Sequence, residues 1–141
     1  MSKKIVFHSE CCIDCHACET ACKTWRKVET GVKWRWVETL EEGSFPETKV
    51  SYVSIACKHC QDPLCLSICP ADAIYKAQSG EVLVDRDRCI GCKKCAKACP
   101  WNIPQFGRDK KMQKCDLCQG QEEYMKYPCA RMCPTGALEL L

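Results

Sequence analysis

Alternating apolar and polar residues predict several short β-strands in this chain. "KIVFH" near the N-terminus and "EVLVD" near the middle each predict one strand. "AIYKAQSGEVLVD" predicts a hairpin that turns at Gln78, Ser79 and Gly80. "VKWRWVET" and "KVSYVSIA" also alternate, which predicts a second hairpin joined through "LEEGSFPE".

Helices are expected beside the cysteines and should be short. The chain has four cysteine-rich blocks, and the three residues before the last cysteine of each block are expected to open a helix. Proline follows that last cysteine at Pro70, Pro100 and Pro134, where it stops or redirects the chain. Lys23 follows Cys22 instead, so the first helix can continue into "KTWRKV".

Cysteine accounts for 17 of the 141 residues, a content typical of disulfide scaffolds or metal proteins. Only 8% of the residues are aromatic, so covalent or metal cross-links are expected to replace a large apolar core. The start, "MSKKIVFHSE", has no apolar signal region, and the chain has no transmembrane stretch. A cytoplasmic location is therefore expected, where reducing conditions disfavour disulfides. Export together with a partner stays open.

The chain contains an internal repeat. "IVFHSECCIDCHACETAC" aligns without gaps over "VLVDRDRCIGCKKCAKAC", and four cysteines of each segment coincide. The aligned pairs are Cys12 with Cys89, Cys15 with Cys92, Cys18 with Cys95, and Cys22 with Cys99. Cys11 falls on Arg88, so it is the seventeenth cysteine and belongs to no set. Its side chain is expected to point away from the metal site, with exchange between Cys11 and Cys12 as the alternative.

The two remaining blocks also match each other. "CKHCQDPLCLSICPADAI" has the spacing C-x2-C-x4-C-x3-C-P, and the last block has C-x2-C-x10-C-x3-C-P, which is six residues wider. A short apolar segment, "AIYK" or "ALEL", follows each of them. The order along the chain is therefore A-B-A′-B′, two copies of a unit with two motifs.

The spacing C-x2-C-x2-C-x3-C-P is that of bacterial ferredoxins, which bind 4Fe-4S clusters and send the fourth cysteine to the other cluster of a pair. Structural zinc sites also use four cysteines, usually as two separated C-x2-C pairs. Zinc would leave the third cysteine of each tight run unexplained. The formal charge is +3 with neutral cysteines, but sixteen thiolates on four clusters would bring it to about −5. Nucleic-acid binding is therefore not expected.

At these blocks the sequence resembles a known family. It is similar to the four-cluster, ferredoxin-like electron-transfer (beta) subunits of bis-pterin molybdenum and tungsten oxidoreductases, such as dimethyl sulfoxide reductase, formate dehydrogenase and polysulfide reductase. The resemblance extends from Ile5 to Leu138 and includes "CKHCQDPLC", "GCKKCAKACPWNIPQF" and "KCDLC". It implies a non-catalytic electron-transfer subunit with four 4Fe-4S clusters, whose partner is a large molybdo- or tungstopterin catalytic subunit, with a further electron-carrier subunit as a second partner.

The resemblance also implies how the cysteines divide into four sets, since the outer blocks pair with each other and the inner blocks do likewise. The first set is Cys12, Cys15, Cys18 and Cys133; the second is Cys115, Cys118, Cys129 and Cys22; the third is Cys57, Cys60, Cys65 and Cys99; the fourth is Cys89, Cys92, Cys95 and Cys69.

The expected fold is α+β, with two ferredoxin-like halves of two clusters each and a β-hairpin insertion. Residues 1–22 and 100–141 would form the outer half, residues 57–99 the inner half, and residues 23–56 the aromatic-rich insertion. That insertion holds Trp25, Trp34 and Trp36. It is interpreted either as a small satellite core that covers a cluster or as a ribbon that docks a partner.

Two features bear on the partners. Many relatives continue beyond the last block, whereas this sequence ends at Leu141, which favours a soluble complex without direct membrane insertion. Some relatives lose a cysteine in the third block and keep a three-iron cluster, whereas Cys92 is present here. The alternatives are a freestanding polyferredoxin, or a subunit of a tungsten aldehyde oxidoreductase-type or carbon monoxide dehydrogenase-type complex. A redox-sensing regulator would need an effector segment that this sequence lacks.

No catalytic constellation accompanies the cysteines. His8, His16 and His59 lie beside cysteine loops and are interpreted as surface or supporting residues. The third block carries Lys93 and Lys94 where the first has His16 and Ala17. Since local charge shifts cluster potentials, the cluster of the fourth set is expected to have a higher reduction potential than the cluster of the first set.

Overall fold

The computed structural model describes residues 4–141 and is an α+β fold made of short elements. Residues 1–3, with which the expected outer half begins, lie outside the described residues. The strands are β1 (Ile5–Phe7), β2 (Arg35–Glu42), β3 (Lys49–Ala56), β4 (Ile74–Lys76), β5 (Val82–Val84), β6 (Gln105–Phe106), β7 (Met112–Gln113) and β8 (Leu138–Leu140). The helices are α1 (Ala17–Trp25), α2 (Leu64–Ile68), α3 (Lys94–Ala98) and α4 (Pro128–Arg131), with short 3-10 turns at Ser9–Cys11 and Glu123–Met125.

Within residues 4–141 the strands form four separate antiparallel pairs: β1 with β8, β2 with β3, β4 with β5, and β6 with β7. The pairing of β1 with β8 brings the two ends of the chain together. Phe7 lies opposite Leu138 in this pair, and Val84 lies opposite Ile74 in the β4–β5 pair. These are equivalent positions of the sequence repeat, so the two pairs have the same register.

Two small apolar clusters accompany these pairs. One contains Ile74, Val82 and Met112 together with the half-buried Phe106. The other surrounds Leu138 and includes Ile5, Phe7 and Val37. Cysteines lie within both clusters, so apolar side chains surround the thiols instead of forming a continuous core of their own.

The β2–β3 hairpin is buried at its base and exposed towards its tip. Arg35, Ser54 and Ala56 are buried at the base, and every residue from 38 to 51 is exposed. Phe45 at the tip is 93% exposed. Trp34 lies just before β2, is half-buried, and donates a hydrogen bond from Nε1 to Gln113 Oε1 at 3.2 Å. These contacts at the base support the interpretation of this region as a satellite core.

The helices correct one expectation. α2 and α3 end immediately before Cys69 and Cys99, so the three residues before the last cysteine close a helix and do not open one. All four helices begin one residue before the third cysteine of their block. α1 continues past Cys22 to Trp25, because no proline follows that cysteine. Among residues 4–141, the structure contains no helix with the length and apolar character needed to cross a bilayer.

Candidate metal centres

The four cysteines of the first set line one cavity. Cys12 and Cys15 lie in the segment that joins β1 to α1, Cys18 lies in the first turn of α1, and Cys133 follows α4. The residue before α1, His16, has a left-handed backbone (φ 61°), which turns the loop so that Cys15 and Cys18 can face the same space. Burial raises the pKa of Cys18, while Cys15 is exposed.

The fourth set repeats this arrangement. Its four cysteines line one cavity together with Ile74, Phe106 and Met112. Lys93 precedes α3 with the same left-handed backbone (φ 63°) as His16. The backbone N–H groups of Met112 and Ala73 point at the sulfurs of Cys89 and Cys69, at 3.3 and 3.4 Å. Such N–H···S contacts stabilise thiolates that bind a cluster.

The third set lines a larger cavity of about 230 Å³. Cys57 and Cys60 lie in the loop that leads into α2, Cys65 lies in the first turn of α2, and Cys99 directly follows α3. The His59 N–H donates to Cys57 Sγ at 3.4 Å. The cavity wall also includes Trp101 and the side chain of Lys114.

The second set is the most deeply buried. Cys22, Cys118 and Cys129 are buried, and Cys115 is half-buried. Burial, together with the charges of the neighbouring Cys115 and Cys129, raises the pKa of Cys22 to about 12. The Tyr127 N–H donates to Cys118 Sγ at 3.4 Å. The four thiols therefore lie close together where α1 packs against α4.

The geometry of the thiols bears on the kind of metal site they could form. Within residues 4–141, no three histidine, cysteine, aspartate or glutamate side chains converge at the distances of a single-ion site. A structural zinc ion needs its sulfurs at about 2.3 Å. A set of four cysteines drawn from two parts of the chain is the usual ligand set of an iron–sulfur cubane, whose irons bond to the cysteine sulfurs.

Arg35 is a buried cation that the sequence pattern did not reveal as part of a site. It is 6% exposed, and its Nη1 donates to Ser54 Oγ at 3.0 Å. Ser54 Oγ in turn lies 3.5 Å from Cys18 Sγ. Burial raises the pKa values of Cys22 and Cys129, and the Arg35 charge opposes this rise. Arg35 therefore lies between the first and second sets.

Lys114 occupies the corresponding position between the second and third sets. It is 4% exposed, and its Nζ donates to the carbonyl oxygens of Val82 and Cys115. Its charge opposes the effect of burial on the pKa of Cys65. In sequence Lys114, directly before Cys115, resembles an ordinary surface lysine, so the sequence pattern gave no signal for its burial.

His59 lies close to Lys114. Burial, reinforced by the Lys114 charge, lowers the pKa of His59 to about 3. The Val82 N–H donates to His59 Nδ1 at 3.0 Å, so the neutral ring carries its proton on Nε2. A cavity of about 610 Å³ is lined by His59, Cys57 and Cys115. The second and third sets thus approach each other across polar groups. His8 and His16, by contrast, lie near the surface beside carboxylates, with His8 Nε2 2.8 Å from Glu139 and His16 Nε2 2.9 Å from Asp14.

Cys11 lies apart from the sets. It ends the 3-10 turn Ser9–Cys11, and its N–H donates to His8 O at 3.1 Å. The Arg88 N–H makes the equivalent bond to Asp85 O, also at 3.1 Å. Cys12, and not Cys11, lines the cavity of the first set.

Comparison with known proteins identifies the family of the chain that carries these thiol sets. The profile of the 4Fe-4S dicluster domain matches residues 48–141. The chain belongs to the 4Fe-4S dicluster family. The match starts within the β2–β3 hairpin and covers the third and fourth sets completely, together with three cysteines of the second.

Individual relatives extend the likeness to the first block. The formate dehydrogenase iron-sulfur subunit of Wolinella succinogenes is 40% identical over 151 residues, covering 90% of this chain and 74% of that protein. A chain of the anaerobic dimethyl sulfoxide reductase of Escherichia coli is 38% identical, covering 91% of this chain and 67% of that protein. A sulfite dehydrogenase subunit of Allochromatium vinosum is 36% identical over 94% of this chain and 65% of its own length.

These relatives confirm the family that the sequence resembles, the iron–sulfur electron-transfer subunits of molybdopterin oxidoreductases. The predicted cofactors, four 4Fe-4S clusters, are likewise confirmed by the family match and the cysteine content of this dicluster protein.

Proposed function

We propose that this dicluster-family protein is a non-catalytic subunit that relays single electrons between a large molybdo- or tungstopterin catalytic subunit and a second redox partner. The observation that carries the proposal is the way in which the chain assembles its thiols. Every set takes three cysteines from one loop and the fourth from another part of the chain. This crossing connects four sites within one small protein, as an electron relay requires.

The ligand assignment is part of the proposal. Each of the four sets binds one 4Fe-4S cluster through its four cysteines, and Cys11 binds none. Three shared cavities and the neighbourhood around Cys22 support this assignment. The clusters supply one-electron chemistry when bound, and the chain supplies thiolates, backbone N–H donors and a low-dielectric environment.

We infer that the fold is two ferredoxin-like halves related by the internal repeat. The outer half would be residues 1–22 with 100–141, the inner half residues 57–99, and the hairpin region 23–56 an insertion. The equal registers of the β1–β8 and β4–β5 pairs support this division. The equivalent hydrogen bonds at Cys11 and Arg88 support it as well.

The interior cations fit a relay. A reduced cluster is more negative than an oxidised one, so a buried cation favours reduction. Arg35 lies between the first and second sets, and Lys114 between the second and third. The second set therefore has a buried cation on each side.

The names of the relatives suggest the partner. They are subunits or chains of a formate dehydrogenase, a dimethyl sulfoxide reductase and a sulfite dehydrogenase, which supports a large catalytic subunit as the partner of this chain. None of these names decides the substrate, because they differ from one relative to the next.

Anaerobic purification of the tagged chain from its native cells tests this function. We expect about 16 iron and 16 sulfide per chain, titration of four clusters in potentiometric EPR, and a co-purifying large chain that carries a pterin cofactor. Zinc in place of iron would contradict the relay. A fully loaded chain that never co-purifies with a large subunit would instead support a freestanding polyferredoxin.

A further inference from the structure

The fourth set lies beneath an exposed and strongly basic surface. Cys92 is exposed, and its neighbour Ile90 is 68% exposed. Around them, residues 85–111 contain eight lysines and arginines but only three aspartates. We propose that this surface, the basic collar, is the docking site for a small acidic one-electron carrier protein. The proposal rests on the electron-relay function and assigns the relay its external entry or exit.

The lysines nearest the loop are not neutralised within the protein. Lys93, Lys94 and Lys97 are all exposed, and no carboxylate in residues 4–141 forms an ion pair with them. Two of the three aspartates are already engaged by the collar's own arginines, Asp109 by Arg86 and Asp85 by Arg88. The collar therefore presents uncompensated positive charge to the solvent.

A second basic segment packs against the same loop. Gly91 has a left-handed backbone (φ 71°), and a Cβ atom at this position would overlap the carbonyl oxygen of Lys110. The Lys93 ammonium lies 5.7 Å from the centre of the Phe106 ring in β6. The turn between β6 and β7, which carries Arg108, Lys110 and Lys111, is thus held beside Cys92. The collar is built from two segments and is not a single charged run.

The opposite end of the repeat shows that this charge is specific to one site. Ile13 occupies the position equivalent to Ile90 and is 60% exposed. Residues 8–22 around it contain three carboxylates and no lysine or arginine. An exposed isoleucine beside an exposed cysteine is therefore common to both loops, and of these two loops only that of the fourth set has the cationic collar.

The occupant follows from charge complementarity. A carrier with carboxylates around its own redox centre would be attracted to the collar, and electrostatic steering of this kind raises association rates by about 10 to 1,000-fold at low salt. The apolar Ile90 gives the contact a centre from which water can be excluded. One electron passes between the carrier and the relay, so that one partner is oxidised and the other is reduced, and no bond is made or broken.

Binding of an oxidised acidic ferredoxin to the anaerobically purified holo-protein tests the proposal without any turnover. We expect affinity to fall at least about tenfold between about 50 mM and 500 mM salt. The variant Lys94→Glu/Lys97→Glu should weaken binding at low salt by about tenfold or more. The control Lys27→Glu/Lys49→Glu reverses two exposed lysines outside the collar and should change affinity less than about twofold.

Two measurements keep the variant interpretable. Its iron content and EPR signals should match those of the wild type, which shows that the clusters are loaded. Its rate of reduction by an uncharged small mediator should also be unchanged, whereas its rate with reduced ferredoxin should fall. This difference separates a docking role of the lysines from an effect on cluster potential.

Several outcomes would overturn the proposal while leaving the relay function intact. They are salt-independent binding, equal losses in both double variants, a basic cytochrome c that binds as tightly as the ferredoxin, and tighter binding to anionic vesicles or to duplex DNA. Loss of the co-purifying large chain in Lys94→Glu/Lys97→Glu would also overturn it, because the collar would then be the subunit interface. Failure to find four clusters in the wild type would instead overturn the relay function.

Discussion

The loops of the first and fourth sets share a backbone and differ in charge. Both follow strands of equal register, and His16 and Lys93 turn into their helices with nearly equal φ angles of 61° and 63°. Asp14 and His16 form an ion pair at 2.9 Å in one loop, where the other has Gly91 and Lys93. The backbone therefore provides the same site in both loops, and the side chains between the cysteines distinguish the first set from the fourth.

The largest effect is expected from the first cysteine of the loop in the first set. Cys12 is equivalent to Cys89, so Cys12→Ser should lose or alter one cluster and lower the iron content by up to about a quarter. Cys11→Ser should leave the iron content and all four EPR signals unchanged, because Cys11 corresponds to Arg88. Iron and sulfide analysis of both variants measures this. If Cys11→Ser loses the cluster and Cys12→Ser keeps it, the register of the first block is off by one residue.

The next effect concerns charge in the interior. Lys114→Met removes a buried cation beside the second and third sets, so it should lower the midpoint potential of an adjacent cluster by on the order of 100 mV. Lys110→Met removes an exposed cation of the collar, and solvent screening should keep its effect several-fold smaller. Potentiometric EPR compares the two variants. Equal shifts would mean that burial does not decide the influence of a cation in this protein.

A third change tests why the loops differ at one backbone position. Asp14 and Gly91 are equivalent and both have left-handed φ angles, but only Gly91 packs against the Lys110 carbonyl. Gly91→Ala should therefore destabilise the holo-protein by about 1–3 kcal/mol, which lowers the melting temperature by several degrees.

Gly136→Ala is the matched control for this change. Gly136 has φ 69°, close to the 71° of Gly91, and open space around it. Its substitution adds the same backbone strain without an overlap, so the melting temperature should fall less. Thermal loss of the visible absorption, followed anaerobically, measures both. Equal destabilisation would show that the approach of Lys110 has no energetic role.

Much of this architecture could be predicted from sequence, because cysteine spacing and short alternating apolar and polar segments reveal the repeat. β1, β5 and the hairpin turn at Gln78–Gly80 follow directly from alternation. The β6–β7 pair was not predicted, since two-residue strands are too short for any period to be visible. The helix positions were misjudged because a left-handed residue starts α1 and α3, and no residue type marks that conformation when it is His or Lys.

The site was predictable only in part, and for a related reason. Cysteine spacing groups the donors, but the charges around them depend on tertiary contacts. Arg35 and Lys114 are surface-like residues by type and buried by position. Charged residues are rarely buried unless something compensates them. Arg35 donates to Ser54, Lys114 donates to backbone carbonyls, and both cations lie beside buried thiols.

The smallest effects are expected from the charged side chains between the cysteines of the first and fourth sets. Lys93→Glu should lower the midpoint potential of the cluster in the fourth set, and Asp14→Lys should raise that of the first, each by on the order of 50 mV. The sign follows from charge, because a nearby cation stabilises the reduced, more negative cluster.

Lys27→Glu reverses an exposed lysine that also has a left-handed backbone (φ 52°) but lies outside both loops, so it should shift neither potential. EPR potentiometry at fixed salt resolves the changes, and added salt should diminish them, because both side chains are accessible to solvent. If Lys93→Glu and Asp14→Lys leave both midpoints in place, the charges between the cysteines serve docking alone, and the difference in potential between the two ends must come from burial and N–H···S bonding.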